Sequence, residues 1–179
     1  MTRQQSLQNL NLQALATSGL PLIGSTPLHN LERVALECTG LQPDSMVQWQ
    51  AGAELRTGAS GQMDTWLHLQ ATTSVPLTCQ RCMTTVQAPL HINQWYRFVA
   101  TEEIAMAEDD ASEEDLLVMA PQFDLASLLE DELLMALPLV PMHDECPALP
   151  AFSAGVIDEP GELLKKPNPF AALAQLKKK

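Results

Sequence analysis

The chain has 179 residues, 46% hydrophobic and 18% charged, which suits one domain with a real core or a core plus mobile segments. No run approaches the roughly 20 consecutive apolar residues that cross a bilayer, and the N-terminus lacks the apolar stretch of a signal peptide, so a cytoplasmic protein without membrane contact is expected. The net charge of −12 is uneven: residues 98–164 hold 17 carboxylates and no Lys or Arg, which argues against extensive RNA contact there and favours a basic protein partner.

Residues 7–17 suit a short helix or an extended lead-in. Ser25 or Thr26 is expected to cap a helix with Pro27 in its first turn, its apolar face Leu28, Leu31, Val34 and Ala35, stopped by Gly40. From 45 to 99 the pattern alternates as in strands. Val47, Trp49 and Ala51 mark the first, Trp66–Thr73 the second, with Pro76 ending or bulging it, and Val86–Val99 a long third. Gly52 or Gly58 to Gly61 provides turn material between the first two. Short connections predict an antiparallel sheet, with Cys79 and Cys82 at a hairpin. The eight acids of 101–115 predict a flexible acidic loop. Leu116–Met119 suits a short strand. Asp124 should cap a helix over 125–137 facing the core with Leu125, Leu128, Leu129, Leu133, Ala136 and Leu137, ended by Pro138. Asn168-Pro169 opens a last short helix. The fold class is therefore α+β: an antiparallel, partly curled sheet packed with two to three helices. Residues 1–150 form the domain, and 151–179 an extended, mobile tail.

Cys79-Gln80-Arg81-Cys82 and His143-Asp144-Glu145-Cys146 together offer three thiolates and one imidazole, the ligand set of a closed structural zinc site. Free thiols packed at a strand end, with His143 at the surface, are the plainer reading of the same residues. Redox chemistry wants a Cys-x-x-Cys at a helix N-terminus, whereas Thr84, Thr85 and Val86 favour a strand. Cys38 suits a buried helix end. Glu130-Asp131-Glu132 lacks a convergent histidine, so a solvated helix face is preferred to an acid–base site, with Asp131 or Glu132 able to pair with Arg81 or Arg97. No phosphate loop or nucleophile elbow is present, and no small-molecule substrate is indicated. Trp49, Trp66 and Trp95 lack interleaved cations, so core packing is expected rather than RNA stacking.

These blocks, with Ala136-Leu137-Pro138-Leu139-Val140-Pro141-Met142-His143 and Lys166-Pro167-Asn168-Pro169-Phe170-Ala171-Ala172-Leu173, resemble the YceD-like large ribosomal RNA subunit accumulation proteins. The resemblance implies a cytosolic, non-enzymatic factor needed for synthesis, processing or stability of 23S ribosomal RNA, hence for large-subunit assembly. Joined to the charge pattern, it places binding on Arg81, on Glu130, Asp131 and Glu132, and on Asn168, Pro169 and Phe170. The partner expected there is a basic ribosomal or assembly protein, with the lysine tail available to RNA. A metal-stapled adaptor for a neighbouring biosynthetic enzyme and a metal-dependent RNA-processing enzyme are the rival readings.

Overall fold

A computed structural model of the chain describes residues 7–57, 61 and 63–147. The proposed helix at Asn168-Pro169, the tail, and Phe170 lie outside the described residues. Five strands form one open sheet in the order β1-β2-β3-β4-β5: β1 Leu22–Pro27, β2 Met46–Thr57, β3 Met63–Thr78, β4 Thr85–Val99 and β5 Asp115–Val118. The first four are antiparallel, as alternation and short connections dictate. β5 runs parallel to β4, from Tyr96↔Asp115 to Val99↔Val118, so the sheet is mixed. A parallel neighbour needs a crossover, and the acidic segment supplies it.

That segment corrects the expectation of a loop. Residues Glu102–Glu108 form helix α3, followed by a 3-10 turn at Asp109–Ala111. Two effects offset the charge repulsion. Thr101 caps the helix, its hydroxyl oxygen accepting from Ile104 N–H, and Glu102 and Glu103 sit at the positive end of the helix dipole. Arg97, 9% exposed, reaches from β4 to Asp64 at 3.6 Å and to Glu108, and donates to the Ser112 hydroxyl at 3.2 Å.

The helix expected from Pro27 begins later. Residues 22–27 are the edge strand β1, a 3-10 turn covers Leu28–Asn30, and α2 spans only Glu32–Glu37. Leu28, Leu31 and Val34 are buried as expected. The strand wins because Gly24 leaves room for the Trp49 ring, which a Cβ there would overlap, while Thr26 accepts the Trp49 indole N–H at 3.0 Å. Gly52, offered as turn material, lies inside β2, and Gly61, with φ +79, falls between β2 and β3. β3 runs through Pro76. The Pro76 carbonyl points away from β4 to accept from Thr39 N–H, and β2 stops pairing at Thr72, so the missing proline N–H interrupts no ladder bond.

One face of the sheet carries the core. Leu67, Leu69, Leu90, Tyr96 and their neighbours pack against α1 (Leu12–Ser18), α2 and α4 (Leu125–Met135). α4 follows its sequence signals closely: Asp124 accepts from Ser127 N–H at 2.9 Å, and Leu125, Leu129 and Leu133, spaced by four, are buried. Trp49 is in this core; Trp66 and Trp95 are not. They stand half-buried on the opposite face, with His68 stacked on Trp95 at 4.2 Å and the Arg56 guanidinium 4.4 and 4.1 Å from the two ring centroids. Trp66 is adjacent to core residue Leu67, and Trp95 to Tyr96. Side chains alternate along a strand, so only one of each pair can face inward.

Candidate metal centre

The first half of the centre is the β3–β4 connection. Met83 N–H donates to the Cys79 carbonyl and Cys79 N–H to the Thr84 carbonyl, each at 2.9 Å, folding Cys79–Thr84 into a tight knuckle. Closing it puts Met83 at φ +61, a left-handed conformation that glycine adopts more easily. The second half follows α4. Pro138 cannot extend the helix, and the chain returns across the hairpin as an irregular strap. Gln80 N–H donates to the Pro141 carbonyl at 2.9 Å, and the Arg81 guanidinium donates to the carbonyls of His143 and Asp144. The knuckle and the strap are thus held together by one main-chain bond and the Arg81 side chain before any of the four candidate ligands is considered.

Cys79 and Cys82 are buried, and His143 and Cys146 half-buried. One ligand atom from each of the four lies within 4.8 Å of all the others, a set that could hold a metal ion. The geometry allows a stricter test. Zinc–sulfur and zinc–nitrogen bonds of about 2.3 and 2.05 Å in a tetrahedron require S···S edges of about 3.8 Å and S···N edges of about 3.6 Å. Cys79 Sγ lies 3.9 Å from Cys146 Sγ, and Cys82 Sγ lies 3.5 Å from His143 Nδ1. His143 Nε2 donates to the Thr85 carbonyl at 3.1 Å, which turns Nδ1 toward the sulfurs, and in the neutral imidazole Nδ1 is the nitrogen that carries the lone pair. All four cysteines of the chain are free thiols. Cys38, at the end of α2, donates to the Val34 carbonyl at 3.2 Å, the helix-end position expected of it, although it is half-buried rather than buried.

The electrostatics are graded. Burial pushes the Cys79 thiol up, but hydrogen bonds from the backbone of Cys82, His143 and Arg81 and from the His143 side chain outweigh it and bring it to about 5. The Thr84 hydroxyl, 3.1 Å away, lowers Cys82. The Cys79 sulfur raises His143. Burial, then Cys82 and Cys79, raise Cys146. In the metal-free fold, the contribution of the depressed Cys79 is present at high pH and lost as pH falls through about 5. That of the raised His143 is full at low pH and lost as pH rises through its raised value.

Metal affinity follows the thiolates, because protons compete with the ion at every ligand. Affinity is expected to climb with pH through the neutral range, because binding must displace the proton that the raised Cys146 thiol still holds there, and to collapse below about 5, where Cys79 gains one as well. Competition with a chromophoric chelator across this range checks it; a flat profile would count against these ligands.

The other sequence-proposed residues separate. Arg81 braces the strap. Glu130 and Asp131 pair with Arg33 at 3.0 and 2.5 Å, rather than with Arg81 or Arg97. The Glu130 carboxylate also accepts from the backbone N–H groups of Arg33 and Val34, at 2.7 and 3.5 Å. It therefore caps α2, whose own N-cap, Leu31, has no capping side chain. Glu132 lies against the Tyr96 phenol, which burial and then that carboxylate push upward. Sequence reasoning missed Thr84 and Thr85; the hydroxyl of one and the carbonyl of the other orient the ligands.

The fold and site define an α+β protein with an open mixed sheet and a Cys3His cluster joining its central hairpin to the chain after α4. The family model for the large ribosomal RNA subunit accumulation protein YceD matches residues 67–177, from β3 through both halves of the centre, and the chain belongs to that family. A curated relative, the large ribosomal RNA subunit accumulation protein YceD of Haemophilus influenzae, is 41% identical over 108 residues, 59% of this chain and 61% of the relative. The match therefore spans less than two thirds of that relative's length. No solved structure matches. Among the described residues, no helix is long and apolar enough to cross a membrane.

Proposed function

We propose that this protein is a cytoplasmic, non-enzymatic biogenesis factor. It supports synthesis, processing or stability of 23S ribosomal RNA during large-subunit assembly, and it acts through a basic ribosomal or assembly protein. The carrying observation is the family match over residues 67–177, joined to the name of the relative from Haemophilus influenzae. Cys79, Cys82, His143 and Cys146 would hold a structural zinc ion. The two edges that fit a tetrahedron support that choice, and a set of four protein ligands leaves no open position for substrate. The residues themselves then do the positioning: Cys79 and Cys82 anchor the hairpin, and His143 and Cys146 anchor the strap.

The acidic run from 98 to 164 supports a basic protein as the partner, since it attracts cationic surface and repels phosphate. Depleting the protein from its own cells should lower free large subunits and 23S relative to 16S ribosomal RNA on sucrose gradients. Unchanged subunit profiles would overturn the assignment. Turnover of 23S precursors by the purified, zinc-loaded protein would replace it with the processing enzyme.

A further inference from the structure

Beside the metal centre, the strap and the start of β4 enclose a groove of about 840 Å³, lined by Val86, Ala88, Pro138, Val140 and Met142 with Arg81 and His143 at one end. Its lip is unusually apolar. Val140 and Met142 are 56% and 52% exposed, and Leu139 between the two prolines is fully exposed. Met83 on the knuckle, next to Cys82, and Met135 at the end of α4, just before the strap, are also exposed. Exposed apolar side chains lining a groove, here Val140 and Met142, mark an interaction surface, and methionine adapts its shape to varied partners.

We propose that this groove receives the apolar face of a basic amphipathic protein segment; the inference rests on the partner class given under Proposed function and locates it. Charge selects the occupant. From residue 98 to the end of the described chain there are carboxylates but no Lys or Arg, with Asp144 and Glu145 exposed beside the groove. Arg81, the cation at the groove, is already engaged by two carbonyl oxygens of the strap. Phosphate would meet an apolar floor and an acidic rim. A segment with leucines on one face and lysines on the other would meet complementary groups on both. The strap has no regular structure, so the knuckle and the ligands His143 and Cys146 hold the groove in shape.

The test uses the full-length, zinc-loaded protein and three fluorescent probes: a Leu/Lys amphipathic peptide, its Leu/Glu counterpart and a uridine-rich RNA oligonucleotide. The Leu/Lys peptide should bind, the other two weakly or not at all. The triple variant Leu139→Ser, Val140→Ser, Met142→Ser should weaken it by about tenfold or more at unchanged metal content, the scale of losing a few apolar contacts. Leu139→Lys, at a fully solvated position, repeats the test without risk to the fold and should weaken binding by repulsion as well. Equal binding of the Leu/Lys peptide by both variants, or preference for the RNA, overturns the groove. Subunit profiles separate the two levels. If wild type and both variants restore the profile of depleted cells equally, the groove is refuted and the biogenesis role stands. If depletion leaves the profile unchanged, the biogenesis role falls whatever the peptide does.

Discussion

Cys79→Ser is expected to reduce bound zinc from about one ion per chain to none and to lower Tm by roughly 10 °C, the scale on which a lost structural metal destabilises a domain of this size. Serine keeps the volume but not the charge, because its hydroxyl stays protonated at neutral pH. Cys79 is the fully buried ligand and the one its surroundings ionise most readily, so the loss falls on the strongest member of the set. The effect should be local in structure. Leu67, Leu69, Leu90 and Leu129 form a core that owes nothing to the ion, so the sheet stays folded, unlike a zinc finger, which unfolds without metal. The strap should loosen, exposing the Gln80 amide that otherwise donates to Pro141. Metal analysis, thermal melting and amide exchange at Gln80 check the three parts, and chelation of the wild type should reproduce them. Unaltered stoichiometry or an unaltered Tm would remove Cys79 from the site.

Arg97→Ala is expected to destabilise the fold by about 3 kcal/mol, the lower end for breaking a buried ion pair, because Glu108 keeps partial access to solvent. Arg97 is the cation that crosses from the sheet to α3, and α3 buries no residue of its own. Removing it strands Asp64 against the sheet and takes the charged anchor from a helix that otherwise rests on its Thr101 cap and on packing against β4 and β5. Proteolysis within 101–115 should therefore accelerate more than global unfolding does. Asp64→Asn, which keeps Arg97 and Glu108 paired, should cost clearly less. Equal effects of the two substitutions, measured by urea unfolding, would show that the Glu108 contact contributes nothing.

The parts of the fold legible in the sequence are those whose signals are local. Asp124 and the spacing of Leu125, Leu129 and Leu133 specify α4 without help. The alternation through Leu90, Ile92, Tyr96 and Phe98 specifies β4. The four metal-site residues were legible because their chemistry is rare and their spacing paired, although only the fold brings the pairs together. What was illegible depends on partners distant in sequence. Ser25, Thr26 and Pro27 read as the start of a helix until Gly24 is seen beneath the Trp49 ring. The acidic segment reads as a loop until Arg97 is placed beside Glu108. Glu130 reads as a solvated acid until the bare N-terminus of α2 is set against it. Trp66 and Trp95 failed for a different reason: each adjoins a core residue, and composition cannot say which neighbour turns outward.

The strap's attachment also has a consequence in time. The β3–β4 hairpin brings Cys79 and Cys82 together locally, yet 60 residues separate Cys82 from His143, and they include the whole of β4, α3, β5 and α4. Closing so long a loop before those elements have formed is entropically unfavourable, whereas afterwards its ends already lie side by side. Coordination of an ion by all four residues would therefore come late, after those elements have formed. During synthesis the hairpin would emerge with two of the four candidate ligands, and an ion could be fully enclosed only once the chain through Cys146 had followed. An ion held by all four ligands would thus mark finished molecules apart from those still folding.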